Sequence, residues 1–224
     1  MTVPGGVGIF GGTFNPIHLG HLRAAEEVRE AEALDEMRFV PAALPPHKEA
    51  AALVSATHRL RMVERAIAGV PGFRASPIEL ERAGASYSVD TLRAVRSEVG
   101  PAVRLLFMLG RDAFRDFHTW REPEAIFALC DVVVVTRPPS TDPLTTEEIP
   151  VAAREAFCYD STSELLRHGS GHVLKLQRTT ALDISAATIR ARLATRRSIR
   201  FLVPPAVEAY IAGHGLYRQG DPAH

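Results

Sequence analysis

The chain has 224 residues, and its 26 Lys+Arg balance its 26 Asp+Glu at zero formal charge. With 46% apolar and 23% charged residues, the composition is that of a folded chain and excludes a disordered one. The absence of a basic excess argues against a general nucleic-acid binder. Only Lys48 and Lys175 are lysines, and every other basic residue is Arg. Cys130 and Cys158 have no metal-ligand spacing, which fits a reducing compartment. The opening MTVPGGVGIF lacks the basic and apolar regions of a signal peptide, and no stretch approaches a membrane span. The expectation is a soluble cytoplasmic protein.

In chain order, Val7 to Phe10 reads as a buried strand and Leu19 to Ala33 as an amphipathic helix. Met37 to Pro41 is a second strand. Ser55 and Ser88 are read as N-caps of helices ending near Ala68 and before Gly100. Val103 to Leu109 and Asp131 to Thr136 are apolar without alternation, the pattern of strands buried on both faces. Helices are expected at Asp112 to Phe117 and Glu122 to Leu129. Arg137 to Gly171 is rich in Pro, Ser, Thr and Glu and reads as loop. A strand near Val173 to Leu176 follows, then helices from Ser185 to Thr195 and from Pro204–Pro205 to Gly213. This βαβα order predicts an α/β fold, a doubly wound parallel sheet, with ligands beyond the carboxyl ends of its strands. We read residues 1–224 as a single domain, with a small C-terminal helical part at about 183–217.

The most informative stretch runs from Gly8 to His21. A strand ends in Gly11 and Gly12, an irregular loop follows, and a helix begins near His18. Glycines admit a close backbone approach to a phosphate, and a helix N-terminus offers unpaired N–H groups and a positive dipole end. Thr13 can add a hydroxyl. His18 and His21 share a helix face and can stabilise charge developing on a polyphosphate. Two other readings compete. Gly6-Val-Gly8-Ile-Phe-Gly11 formally matches a dinucleotide fingerprint, but its glycines fall before and within the strand. His-x-x-His can ligate a metal, but no further ligand shows the spacing.

Other segments add to this site. Pro45-Pro46-His47-Lys48 follows the second strand, and its prolines stiffen the loop that offers the Lys48 ammonium to a phosphate. A solvated loop lysine is the competing reading. Ser185-Ala-Ala-Thr-Ile-Arg190 opens a helix whose N–H groups and Arg190 can meet an anion, or it is a plain capped surface helix. Asp112, after a strand, can accept from ribose hydroxyls or cap a helix. Trp120, the only tryptophan, is a core residue or a stacking surface.

Gly11-Gly-Thr-Phe-Asn-Pro-Ile-His-Leu-Gly-His21 resembles the His-x-Gly-His signature of the nucleotidylyltransferase superfamily. Its Thr-Phe-Asn-Pro form is similar to the bacterial nicotinate-nucleotide adenylyltransferases. Ser86-Tyr87-Ser88-Val-Asp-Thr-Leu92, Gly110-Arg-Asp112, Arg137-Pro138, Ile184 to Arg190 and Arg200 to Pro204 extend the likeness over nearly the whole chain.

The resemblance implies a Rossmann-like fold. It also implies transfer of an adenylyl group from ATP to nicotinate mononucleotide, releasing pyrophosphate, with Mg²⁺ on the ATP phosphates. By the same token His18, His21, Lys48 and Arg190 are the catalytic set. ATP falls to Gly11, Gly12, Thr13, Phe14, His18, His21, Gly110, Asp112, Ser185, Ile189 and Arg190. Nicotinate mononucleotide falls to Asn15, Lys48, Thr91, Trp120, Arg121 and Arg137. The implied partners are small molecules, not nucleic acid or membrane, and a homo-oligomer is left open. Three positions depart from the family pattern: Ser88 in place of Thr, Arg111 in place of a small residue, and Ala187 in place of a hydroxyl residue. The alternatives are the same chemistry on nicotinamide mononucleotide or phosphopantetheine, and a non-catalytic nucleotide-binding module.

Overall fold

A computed structural model describes residues 5–44, 53–136, 144, 146–160, 165–180 and 182–218. Its eight strands are β1 (Gly6–Gly12), β2 (Leu34–Pro41), β3 (Phe73–Ala75), β4 (Leu105–Gly110), β5 (Asp131–Thr136), β6 (Phe157–Asp160), β7 (Leu165–His168) and β8 (Val173–Arg178). They form one sheet in the order β3-β2-β1-β4-β5-β8-β7-β6. The first five strands and β8 run parallel, and β7 and β6 extend the edge antiparallel. The apolar runs of β4 and β5 are buried on both faces, as strands flanked by helices must be.

Side chains alternate across the sheet and build two cores. On one face Ile9, Phe107, Leu109, Val132 and Val134 meet α3 (Ser88–Val99) and α5 (Pro123–Leu129) through Val89, Leu92, Val95, Ile126 and Phe127. On the other, Phe10, Phe39, Leu106, Met108 and Val133 meet α1 (Leu19–Ala31) and α2 (Ala56–Ile67) through Ala25, Val28, Met62 and Val63. The C-terminal helices α7 (Ala186–Ala194) and α8 (Pro205–Gly213) join this second core through Ile189, Val207 and Ile211. Strand order reverses between β1 and β4, which opens a crevice at their carboxyl ends.

Several expectations need correction. Ser88 is the first residue of α3 and Tyr87 occupies the cap position, with no side-chain cap bond. The fourth strand begins at Leu105, two residues later than its apolar run. Asp112 does not cap: Gly110 does, and the short α4 (Arg111–Arg115) starts behind it. Within Arg137 to Gly171, read as loop, lie the short α6 (Val151–Arg154) and the hairpin strands β6 and β7. These strands are four residues each, pair at the sheet edge and bury only Phe157 and Leu166, so no long apolar run marks them. Ser55 and Ser185 do cap: each Oγ accepts from the backbone N–H three residues on, at 3.3 and 3.1 Å.

Candidate active site

The loop between β1 and α1 is held from both sides. Arg59 of α2 donates from Nη1 to the Thr13 carbonyl at 2.9 Å, and Arg190 of α7 donates from Nη1 to the Asn15 carbonyl at 2.8 Å. The Asn15 Oδ1 accepts from the Tyr217 hydroxyl at 2.9 Å and from the Val54 N–H at 3.4 Å. Burial pushes the Tyr217 hydroxyl pKa up, so it stays a donor there.

His18 caps α1 and is only 5% exposed. Its backbone N–H donates to Nδ1 of His21 at 3.3 Å. Because that Nδ1 accepts, a neutral His21 carries its proton on Nε2. The two rings stack, with centroids 3.6 Å apart. A Cβ at Gly20 would stand 3.1 Å from Nδ1 of His18. The glycine of the His-Leu-Gly-His motif is therefore what lets the His18 ring lie over the first turn. Phe14 packs edge-on to Phe10 and His21 and fixes the second ring from behind.

Two cavities meet at Gly110. The first, about 780 Å³, lies between the N-termini of α1 and α7 and the end of β4. His18, Gly20, His21, Gly110, Asp112 and Ser185 line it. Two helix dipoles thus point their positive ends into one space. The Asp112 side chain is 93% exposed, open to that space. Arg111 lines the same cavity, and its Nε and Nη2 make a fork onto Glu148 at 3.1 and 2.9 Å. The charge of this departure from the family pattern is thereby matched by a carboxylate.

The second cavity, about 600 Å³, runs from Gly11, Gly12 and Thr13 to Trp120 and Arg121. Trp120 packs on Phe117, with ring centroids 4.9 Å apart, and forms part of the wall. The Arg121 guanidinium lies over the Tyr87 ring at 5.0 Å and 3.6 Å from Asp90. A Cβ at Gly11 would come no closer than 3.7 Å to protein atoms, so its bare backbone leaves room on the cavity side.

Not every expected residue reaches a cavity wall. Phe14 and Ile189 are core residues. Asn15 and Arg190 brace the loop from behind. Thr91 is buried, and its hydroxyl donates to Glu79 Oε1 at 2.6 Å. Ser88 and Glu79 line the second cavity where Thr91 was expected. Lys48 and Arg137 lie outside the described residues.

Two participants escaped the sequence reading. Ser86 Oγ accepts from the N–H groups of Ala43 and Leu44 at 2.9 and 3.2 Å, tying the α3 approach to the end of β2. Arg59 shares the buried face of α2 with Met62, Val63 and Ile67. A charged residue at an apolar-face position was the signal that could have found it.

Paired cavities at a switch point, with helix N-termini and stacked histidines at the junction, define a nucleotide-binding α/β protein. Residues 9–192 match the family model described as cytidylyltransferase-like. A relative from Citrifermentans bemidjiense named "Probable nicotinate-nucleotide adenylyltransferase" is 49% identical over 94% of this chain and 97% of its own length. One of the same name from Syntrophotalea carbinolica is 49% identical over 96% of this chain and 98% of its own. The fold is also that of the Plasmodium falciparum nicotinic acid mononucleotide adenylyltransferase solved with NaAD. The TM-score is 0.69 at 18% identity, over 95% of this chain and 97% of that one. The chain belongs to the cytidylyltransferase-like family and, within it, to the nicotinate-nucleotide adenylyltransferases.

Proposed function

We propose that the protein transfers the adenylyl group of ATP to nicotinate mononucleotide, giving nicotinate adenine dinucleotide and pyrophosphate. The observation that carries this reading is the pair of cavities joined at Gly110, with His18 and His21 on the first and Gly11 to Thr13 on the second. ATP occupies the first cavity, its ribose toward Gly110 and Asp112 and its phosphates toward the α1 and α7 N-termini. The mononucleotide occupies the second, its ring against Trp120 and its phosphate toward Thr13 and Lys48.

The acceptor phosphate is already an anion and attacks the α-phosphorus in line, so no strong base is required. Catalysis rests on alignment and charge stabilisation. His18 meets the α-phosphate region, and His21, donating from Nε2, stabilises the transition state and the departing pyrophosphate. Ser185 holds its helix N-terminus in place for the triphosphate. Mg²⁺ arrives with ATP as part of the substrate, held by phosphate oxygens and water. Among the described residues no helix is long and apolar enough to cross a membrane. We assign the activity to the cytoplasm.

The test is pyrophosphate release from ATP and Mg²⁺ with nicotinate mononucleotide, nicotinamide mononucleotide and phosphopantetheine in turn. Fastest release with the nicotinate form is expected. Faster release with another acceptor overturns the choice of substrate. ATP binding without release from any acceptor would leave a nucleotide-binding module.

A further inference from the structure

We infer that Arg59 is a positioning residue for the phosphate site. From inside the core it sets the β1–α1 loop and both ends of the stretch that carries Lys48. The inference deepens the adenylyl-transfer reading and rests on it.

Arg59 is 1% exposed. Its Nε donates to the Val54 carbonyl at 3.1 Å, Nη1 to Thr13 at 2.9 Å and Nη2 to Ala43 at 3.2 Å. Among the described residues none of its hydrogen bonds goes to a carboxylate. A buried guanidinium with no ion-pair partner in contact among the described residues carries a desolvation cost that the more distant Glu79 charge offsets only in part. Here that cost is set against joining three separate segments at one rigid planar fork.

The three carbonyls belong to segments that adjoin the acceptor cavity or the β1–α1 loop: Ala43 follows Ala42 of the cavity wall, and the Val54 N–H reaches Asn15. Thr13 lines the acceptor cavity. In a trans peptide the C=O and the next N–H point in opposite directions. Holding the Thr13 carbonyl toward α2 therefore fixes the direction of the Phe14 N–H on the other side. Ala43 and Val54 stand before and after residues 45–52, the stretch that includes Lys48. The Val54 N–H in turn donates to Asn15, whose carbonyl accepts from Arg190. A shift of Arg59 would thus move the first loop, Ala43, Val54 and the Arg190 brace together.

A second arginine, half-buried, also donates to three backbone carbonyls elsewhere in the chain. Arg96 donates to the carbonyls of Gly100, Val103 and Leu129 at 3.0, 2.6 and 3.0 Å, at the amino ends of β4 and β5. It supplies the control. If three carbonyl bonds only stabilise the fold, the two arginines are equivalent apart from stability.

The experiment compares Arg59→Lys and Arg59→Met with Arg96→Lys and Arg96→Met. It reads kcat and KM for both substrates per folded molecule, and the affinity for inorganic pyrophosphate by calorimetry. The expected result for Arg59→Met is a loss of about 10²-fold in kcat, the scale of an ångström's misplacement at a reacting centre. Pyrophosphate affinity should fall about tenfold, with Arg59→Lys intermediate in both. The Arg96 variants should lose melting temperature and keep kcat and pyrophosphate affinity. Equal kcat and pyrophosphate affinity in the two series would overturn the inference. If the Met variants do not fold, the Lys pair decides on the same criteria. Should the wild-type protein release no pyrophosphate with any acceptor, the transfer reading fails by itself. The pyrophosphate affinities would still decide the role of Arg59.

Discussion

The two ends of this sheet treat charge differently. At the amino ends, cations and carboxylates alternate in a closed network. Arg104 donates to Glu32 Oε2 at 2.7 Å and to Asp131 Oδ2 at 2.8 Å, Lys175 pairs with Glu32, and His172 lies 3.4 Å from Asp131. The Val173 N–H also donates to Asp131, at 3.1 Å. At the carboxyl ends, Arg59 and Arg190 donate to carbonyls, and two helix N-termini point into one cavity. One end satisfies its charges internally and so ties α1, β4, β5 and β8 together. The other end also pairs Arg111 with Glu148, and its remaining positive potential comes from two helix N-termini that a polyphosphate would complete. The zero net charge of the sequence hides this asymmetry.

The largest expected effect breaks the carboxyl end. His21→Ala should lose about 10²–10³ in kcat, the scale of removing one transition-state donor. Its melting temperature should fall modestly, since the ring's Nδ1 accepts from the His18 N–H and the ring packs on Phe14, so kcat is read per folded molecule. A folded His21→Ala protein with wild-type turnover would remove His21 from the chemistry.

The two lysines sharpen the comparison: Lys175 belongs to the amino-end network, and Lys48 is the lysine proposed for the acceptor phosphate. Lys48→Met should cost about tenfold or more in kcat/KM, the order expected for a charge-assisted contact to phosphate. Lys175→Met should leave kcat/KM unchanged and lower stability, because it removes a partner of the buried Glu32. Steady-state kinetics and urea unfolding of both variants measure this. Equal kinetics in the two would argue against a phosphate role for Lys48.

Legibility in the sequence followed the same division of labour. The strands β1, β4 and β5 were readable because both of their faces are covered, which leaves an unbroken apolar run. The β1–α1 loop was readable because few chains need two glycines, two histidines and a proline in one strand-to-helix turn. The β6–β7 hairpin was not, since an edge pair needs only half its residues apolar. The inward turn of Thr91 was not readable either: its hydroxyl donates to Glu79, while Ser88, three residues earlier, stands on the cavity wall. Arg59 was hidden by its company, an arginine among the many of an arginine-rich helix. Only its register with Met62 and Val63 marks it as inward-facing. Side-chain roles that depend on contacts between distant segments are the part that local pattern does not encode.

The smaller effects probe the amino end. Arg104→Met should lower stability by about 1–2 kcal/mol, the order for losing charge-assisted hydrogen bonds at a partly exposed site. Turnover per folded molecule should not change. Urea unfolding together with kcat checks both halves. A fall in kcat would show that the two ends are coupled through β4, whose carboxyl end is Gly110.

The smallest effect is a pH slope at the end of β7. His168 packs against Phe127 and Phe157, its N–H donates to the His172 carbonyl, and its Nδ1 meets the Ser170 hydroxyl. Burial among these groups, with the nearby His172 adding to it, lowers its pKa from the ordinary 6.5. The unfolded chain therefore binds the proton first as pH falls. Stability is full above 6.5 and declines through that value toward the lowered folded-state pKa, where the loss levels off. His168→Gln should flatten this slope, read from denaturant midpoints at about pH 7.5 and about pH 5. An unchanged slope would show that His168 does not carry the acid sensitivity. Because His168 lies at the end of the sheet remote from both cavities, kcat/KM at neutral pH should be the same in the variant and the wild type.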